Sequence, residues 1–231
     1  MRDGLLSQGP GDARCHIVLA HGAGAPMTSP FMESIARLLV ERGLQVTRFE
    51  FAYMAARRTG VRKPPPRAER LKDEYEAVVA RLAGSNPKGQ SLVFGGKSMG
   101  GRVASLVADD LRAKGLVAGL VCLGYPFHPP KKPDQLRTAH LEGLACPALI
   151  VQGERDPFGT RSEVYNYELS SAIKLHWAVD GDHDLSPRKA SGATHPQNLV
   201  AAADAIAGFC ASLTGARGSV KASPKRPKAR D

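Results

Sequence analysis

Cysteine, long apolar runs and an export signal are what this 231-residue sequence has little of or lacks. Its four cysteines, at 15, 122, 146 and 210, show no paired spacing. That excludes a disulfide-stapled secreted scaffold and fits a reduced, cytoplasmic setting. Cys122 lies inside an apolar run, where a free thiol behaves as a small hydrophobe. No apolar stretch reaches the length of a membrane span, and residues 1–14 are rich in glycine and charge without an apolar signal core. Membrane and export readings therefore fall away. What is present is ordinary for a globular domain: 42% hydrophobic and 23% charged residues, on a chain long enough for one sizeable core.

The net charge of +10 suggests nucleic-acid binding until it is localised. Residues 215–231 carry six Lys/Arg against one Asp, and residues 53–72 carry seven against one Glu, which leaves the remaining body at −1. The protein reads as a near-neutral domain with one basic loop and one basic tail. A tail of Lys, Arg, Pro, Ser and Gly cannot bury enough apolar surface to offset its ordering entropy, so 214–231 is expected to be disordered. Weak attraction to polyanions is expected of it, and dedicated nucleic-acid binding is not. The expected organisation is an N-terminal extension over 1–15, a domain over 16–213 and the tail.

From Ile17 onward, short apolar runs alternate with amphipathic segments. Strands are expected near 17–20, 44–51, 91–94, 117–123, 148–151 and 173–179. Helices are expected after Ser29-Pro30 with Phe31, Ile35, Leu38 and Leu39 on one face, over Leu71 to Leu82, after Gly101, near 160–170 and from Pro196. Such alternation gives an α/β fold of about six mainly parallel strands with helices on both faces. In such sheets ligands sit beyond the carboxyl ends of the strands, so the loops just after strands are the informative places.

Three of those loops carry matching chemistry. Gly96-Lys97-Ser98-Met99-Gly100 fits G-x-S-x-G between a strand and a helix, the context of a nucleophilic serine on a tight turn. A serine hydroxyl needs a base to take its proton, and the base needs an orienting acid. Asp156, after the 148–151 strand, is the candidate acid, and His183, after the 173–179 strand, is the candidate base. The order Ser, Asp, His is the one this architecture uses. The Met99 N–H and an N–H from His21-Gly22-Ala23-Gly24, assigned to Ala23, are the candidate oxyanion donors. Glu154 ranks second as acid and His195 second as base. Asp180, Asp182 and Asp184 around His183 read as a solvated acidic turn, since a single imidazole does not make a metal site. Gly96-Lys97-Ser98 also resembles the end of a phosphate-binding loop, but Ser91 stands where that motif needs glycine, and Leu92-Val93-Phe94 reads as strand.

Residues 16–213 resemble the small α/β-hydrolases of the dienelactone-hydrolase-like type. Within these they are most similar to the compact branch that holds testis-expressed protein 30 and the hydrolase-like domain of NSL complex subunit 3. His21 to Ala25, Gly95 to Arg102, Gln152 to Asp156 and Gly181 to Leu185 carry the resemblance. It implies the α/β-hydrolase fold and a Ser98, Asp156, His183 triad. Some members of that branch serve as non-catalytic parts of complexes, so an adaptor is the alternative to an enzyme. The expected activity is hydrolysis of an acyl ester or thioester, without metal or organic cofactor. The short 124–147 segment leaves no room for a large lid. Lys97 and Arg102, beside the nucleophile, read either as a hint of an anionic small-molecule substrate or as surface charges alone.

Overall fold

The computed structural model describes residues 4–215. Seven strands form one sheet: β1 (Leu5–Gln8), β2 (Cys15–Ala20), β3 (Gln45–Phe49), β4 (Ser91–Lys97), β5 (Gly119–Leu123), β6 (Ala148–Gly153) and β7 (Ile173–Ala178). Their order is β1-β3-β2-β4-β5-β6-β7. Every neighbouring pair is parallel except β1 with β3. The seventh strand, beyond the six expected, is β1, which lies within the N-terminal segment 1–15. Its four residues are too short and too mixed to carry a strand pattern, and pairing with β3 supplies what the local sequence does not.

The helices are α1 (Pro30–Val40), α2 (Ala52–Ala55), α3 (Lys72–Ser85), α4 (Met99–Ser105), α5 (Ala108–Ala113), α6 (Ala139–Glu142), α7 (Arg161–Val164) and α8 (His195–Gly215). α7 is a single turn where a longer helix over 160–170 is expected. It opens with a capping box between Thr160 and Glu163. On α3 the buried residues are Tyr75, Val79 and Leu82, with Val78 only half-buried, a small rotation from the expected face. The basic tail lies outside the described residues.

The strand pleat sorts side chains onto two cores. Ile17, Leu19, Val93, Val121, Leu149 and Val151 face α1 and α8, where Ile35, Leu39, Ala203 and Ile206 meet them. Val18, Ala20, Leu92, Phe94, Cys122 and Ile150 face α3 to α5, where Tyr75, Val103 and Leu111 close the other layer. Both faces are thus covered, as a parallel sheet requires. Each fully buried aliphatic side chain contributes roughly 1.5–3 kcal/mol of transfer free energy. The chain passes from β2 to β3 on one side and then to β4 on the other, so strand order reverses between β2 and β4. Ala20 pairs with Gly96 at that switch point, which brings the ends of these two strands side by side.

Candidate active site

Ser98 stands at the carboxyl end of β4, one residue before α4, with φ 49° and ψ −115°. A non-glycine residue at positive φ is held against a cost of order 1–3 kcal/mol, so the surroundings must enforce it. They do so by close approach. A Cβ on Gly96 would meet the Ala20 carbonyl oxygen at 2.4 Å, and one on Gly100 would meet the His21 carbonyl oxygen at 2.6 Å. Only glycine lets the turn settle against the end of β2. The Ser98 N–H donates to the Leu123 carbonyl at 2.8 Å, which ties the turn to β5 as well.

Asp156 and His183 come from the ends of β6 and β7 and meet there. His183 Nδ1 lies 2.8 Å from Asp156 Oδ2. Asp156 is fully buried, and its oxygens are all engaged. Oδ1 accepts the Phe158 N–H at 2.9 Å, and Oδ2 also accepts from Gln152 Nε2 at 2.9 Å. The Phe158 ring lies against the imidazole, with centroids 4.3 Å apart. Ser98 and His183 line one cleft of about 600 Å³, together with Ala23, Phe31, Phe158 and His195. Among the described residues the Ser98 hydroxyl makes no hydrogen bond to the imidazole. Hydroxyl–imidazole contacts of this kind commonly tighten only when substrate binds.

The loop after β2 is braced from behind. The Phe51 N–H donates to His21 Nε2 at 3.2 Å, so Nδ1 carries the ring proton and donates to the Gly22 carbonyl at 2.6 Å. Burial lowers the pKa of His21, in keeping with the neutral ring this pattern needs. The Tyr53 hydroxyl donates to the Ala23 carbonyl at 3.1 Å, and Arg57 donates to the Gly24 carbonyl at 3.3 Å. A trans peptide carries its N–H opposite its C=O, and no peptide among the described residues is cis. The Gly22 carbonyl points at His21, so the Ala23 N–H of the same peptide points the other way. Neither it nor the Met99 N–H donates to another group among the described residues.

The rival residues are occupied elsewhere. Glu154 pairs with Arg161 at 2.6 Å and accepts the Asp180 N–H at 2.9 Å, away from the imidazole. His195 lines the Ser98 cleft, but its Nε2 meets the Asp184 carbonyl at 3.0 Å. The three aspartates around His183 divide their tasks. Asp180 binds Arg188 at 2.6 Å and Arg155 at 2.8 Å, and the Arg188 bond leads in holding its pKa down to about 2. Asp182 accepts the N–H groups of Asp184 and Ser186, each at 2.9 Å. Asp184 pairs with Lys97 at 3.1 Å.

Lys97 carries a structural task beside the nucleophile. It is only 6% exposed, its Nζ donates to the His183 carbonyl at 2.7 Å, and its charge is taken up by Asp184. It anchors the histidine loop and also lines the cleft of Ser98. Burial leads in lowering its pKa, and Asp184 opposes that shift. Two further supports escape sequence reasoning. Gln152 Oε1 accepts the Tyr125 N–H at 2.7 Å while its Nε2 reaches Asp156. Gly124, at φ +62°, leaves the space beside His183, since a Cβ there would lie 2.8 Å from the His183 carbonyl oxygen and 3.2 Å from Nδ1. In the sequence Gln152 shows only as a polar amide at the end of an apolar strand, opening one of the stretches that carry the resemblance.

A parallel sheet with this strand order, a strained serine after β4, and acid and histidine after β6 and β7 define a hydrolase-type α/β protein. Residues 13–211 match the family described as the alpha/beta hydrolase domain, and the chain belongs to that family. The fold is similar to that of an α/β serine hydrolase homologue from Coxiella burnetii, at TM-score 0.64 and 19% identity, over 88% of this chain and 89% of that one. It is also similar to a serine hydrolase without lid from Xanthomonas campestris, at TM-score 0.65 and 19% identity, over 95% and 90% of the two chains. A dienelactone hydrolase from Anabaena variabilis matches at TM-score 0.60 and 19% identity, over 89% of each chain. No helix of the described residues is long and apolar enough to cross a membrane.

Proposed function

We propose that the protein is a serine hydrolase that cleaves carboxylic esters or thioesters through Ser98, His183 and Asp156. The observation that supports this most is the 2.8 Å contact of His183 with buried Asp156, in the cleft that also holds the strained Ser98. Ser98 Oγ attacks the acyl carbon while its proton passes to His183 Nε2. The carbonyl π electrons move onto oxygen, which the Ala23 and Met99 N–H groups receive. Collapse breaks the bond to the leaving alkoxide or thiolate, which takes the proton from His183 and leaves an acyl-Ser98. Water then repeats the sequence: its proton goes to His183, its oxygen to the acyl carbon, and the returning proton frees Ser98. Asp156 keeps the imidazole in the required tautomer throughout.

Within the family, we place the chain in the branch of testis-expressed protein 30 and NSL complex subunit 3. Its four buried, unpaired cysteines fit a reducing compartment, and the cytoplasm is the location we propose. The second reading is a non-catalytic scaffold, favoured by the missing hydrogen bond between Ser98 and His183. Hydrolysis of para-nitrophenyl butyrate by the full-length chain tests the choice. An enzyme turns it over and loses about a thousandfold or more in rate on Ser98→Ala. A rate that Ser98→Ala leaves unchanged contradicts the assignment.

A further inference from the structure

Ser98 lies between two clefts of different character. The first, which holds His183, is walled by Pro30, Phe31 and Met32. The second, of about 640 Å³, also opens on Ser98 and adds Met99, and three arginines line it: Arg67, Arg102 and Arg137. Glu69 is the one acidic residue there. It binds Arg102 at 2.5 Å, and its own side chain is 53% exposed. Arg102 is 17% exposed, and its Nε is buried without a hydrogen-bond partner. The side chains of Arg67 and Arg137 form no hydrogen bond or ion pair among the described residues. The backbone under Arg137 is fixed, since its N–H donates to the Phe127 carbonyl at 2.7 Å and its C=O accepts from the Tyr125 hydroxyl at 3.3 Å. Three guanidinium groups facing one carboxylate repel one another. The buried, unpaired Nε of Arg102 adds to that cost.

Catalysis decides which half of a substrate meets these arginines. The leaving group must receive its proton from His183, so it lies in the first cleft. The oxyanion donors span both clefts, with Ala23 lining each and Met99 the second. The acyl chain therefore extends into the second cleft. Resting on the hydrolase reading above, we propose that Arg67, Arg102 and Arg137 select an acyl group that ends in a second anionic oxyacid, in the simplest case a carboxylate. Guanidinium forks match a carboxylate by paired, charge-assisted hydrogen bonds, which lysine cannot reproduce in full. Glu69 acts as the resident anion that a substrate displaces or complements.

The test compares mono-para-nitrophenyl glutarate, whose acyl chain ends in a carboxylate, with para-nitrophenyl valerate, its neutral counterpart. The proposal predicts a kcat/KM ratio of about ten or more in favour of the glutarate ester, equivalent to about 1.4 kcal/mol. The ratio falls towards one in the Arg102→Gln/Arg137→Gln double variant, is partly kept by the paired Lys variants, and rises in Glu69→Gln. Free glutarate inhibits the unaltered protein competitively and at lower concentration than valerate, a readout that needs no variant to fold. A ratio at or below one with Ser98 still reactive overturns the proposal and leaves the hydrolase reading standing. A ratio that the arginine variants do not change also overturns it. If neither ester turns over and Ser98 does not react with an active-site probe, both fall together.

Discussion

Replacing Gln152 by glutamate tests the support under Asp156 by changing one group and no shape. The side chain is fully buried. Its Oε1 accepts the Tyr125 N–H, and its Nε2 faces three acceptors: Asp156 Oδ2 at 2.9 Å and the carbonyls of Tyr125 and Gly159, each at 3.2 Å. In Gln152→Glu the donor becomes an oxygen among oxygens. The introduced carboxyl, if ionised, would press a second negative charge on Asp156, so it fits only when protonated and donating. Keeping a glutamate neutral near pH 7, against a solution pKa of about 4.3, costs about 1.4 kcal/mol per unit, or about 4 kcal/mol in all. The folded pKa is then raised above the unfolded one. The loss is small near pH 4 and grows as pH rises towards the folded value. Urea unfolding of both proteins should show the variant's deficit shrinking by about 2.7 kcal/mol between about pH 7 and about pH 5. A deficit equal at both pH values would refute the reasoning, because it would mean that Nε2 of Gln152 is not a necessary donor.

Other perturbations bear on the same frame. Gly124→Ala puts a Cβ 2.8 Å from the His183 carbonyl oxygen, so turnover should drop by about tenfold or more while circular dichroism stays that of the native protein. Lys97→Met keeps an unbranched apolar chain but removes the ammonium, which lies 5.1 Å from the Phe31 ring centre and donates to the His183 carbonyl at 2.7 Å. It should lower kcat by about tenfold with little change in KM, since it acts through the histidine loop. Burial, helped by Arg102, lowers His140 from 6.5 to about 4. The unfolded chain therefore binds that proton more tightly, and stability falls as pH drops through this window. His140→Gln should flatten the fall by on the order of 1–2 kcal/mol, given partial exposure of the ring, as read from urea midpoints across the window.

The sheet and the positions of Ser98, Asp156 and His183 are legible in the sequence because each depends on a local pattern. Buried parallel strands read as apolar runs, and the loops that follow them carry the residues that stand out. Glycine at 96 and 100 is legible for the same reason, since the turn geometry is local. What is not legible depends on contacts between distant segments. β1 exists because β3 offers an open edge. Lys97 reads as a charge beside the nucleophile, yet residues 183 and 184 absorb it. Gln152 and Gly124 matter because of a carboxylate and an imidazole carried on other loops. Arg137 lies in a stretch rich in proline and lysine, and only the fold brings it near Arg102.

The most direct measurement is the site of covalent attack. Incubated with a fluorophosphonate, the full-length protein should gain one adduct per chain, mapped by peptide mass to Ser98, and Ser98→Ala should gain none. His183→Ala should label far more slowly. An unmodified Ser98, or an adduct on another residue that persists in Ser98→Ala, would contradict the account.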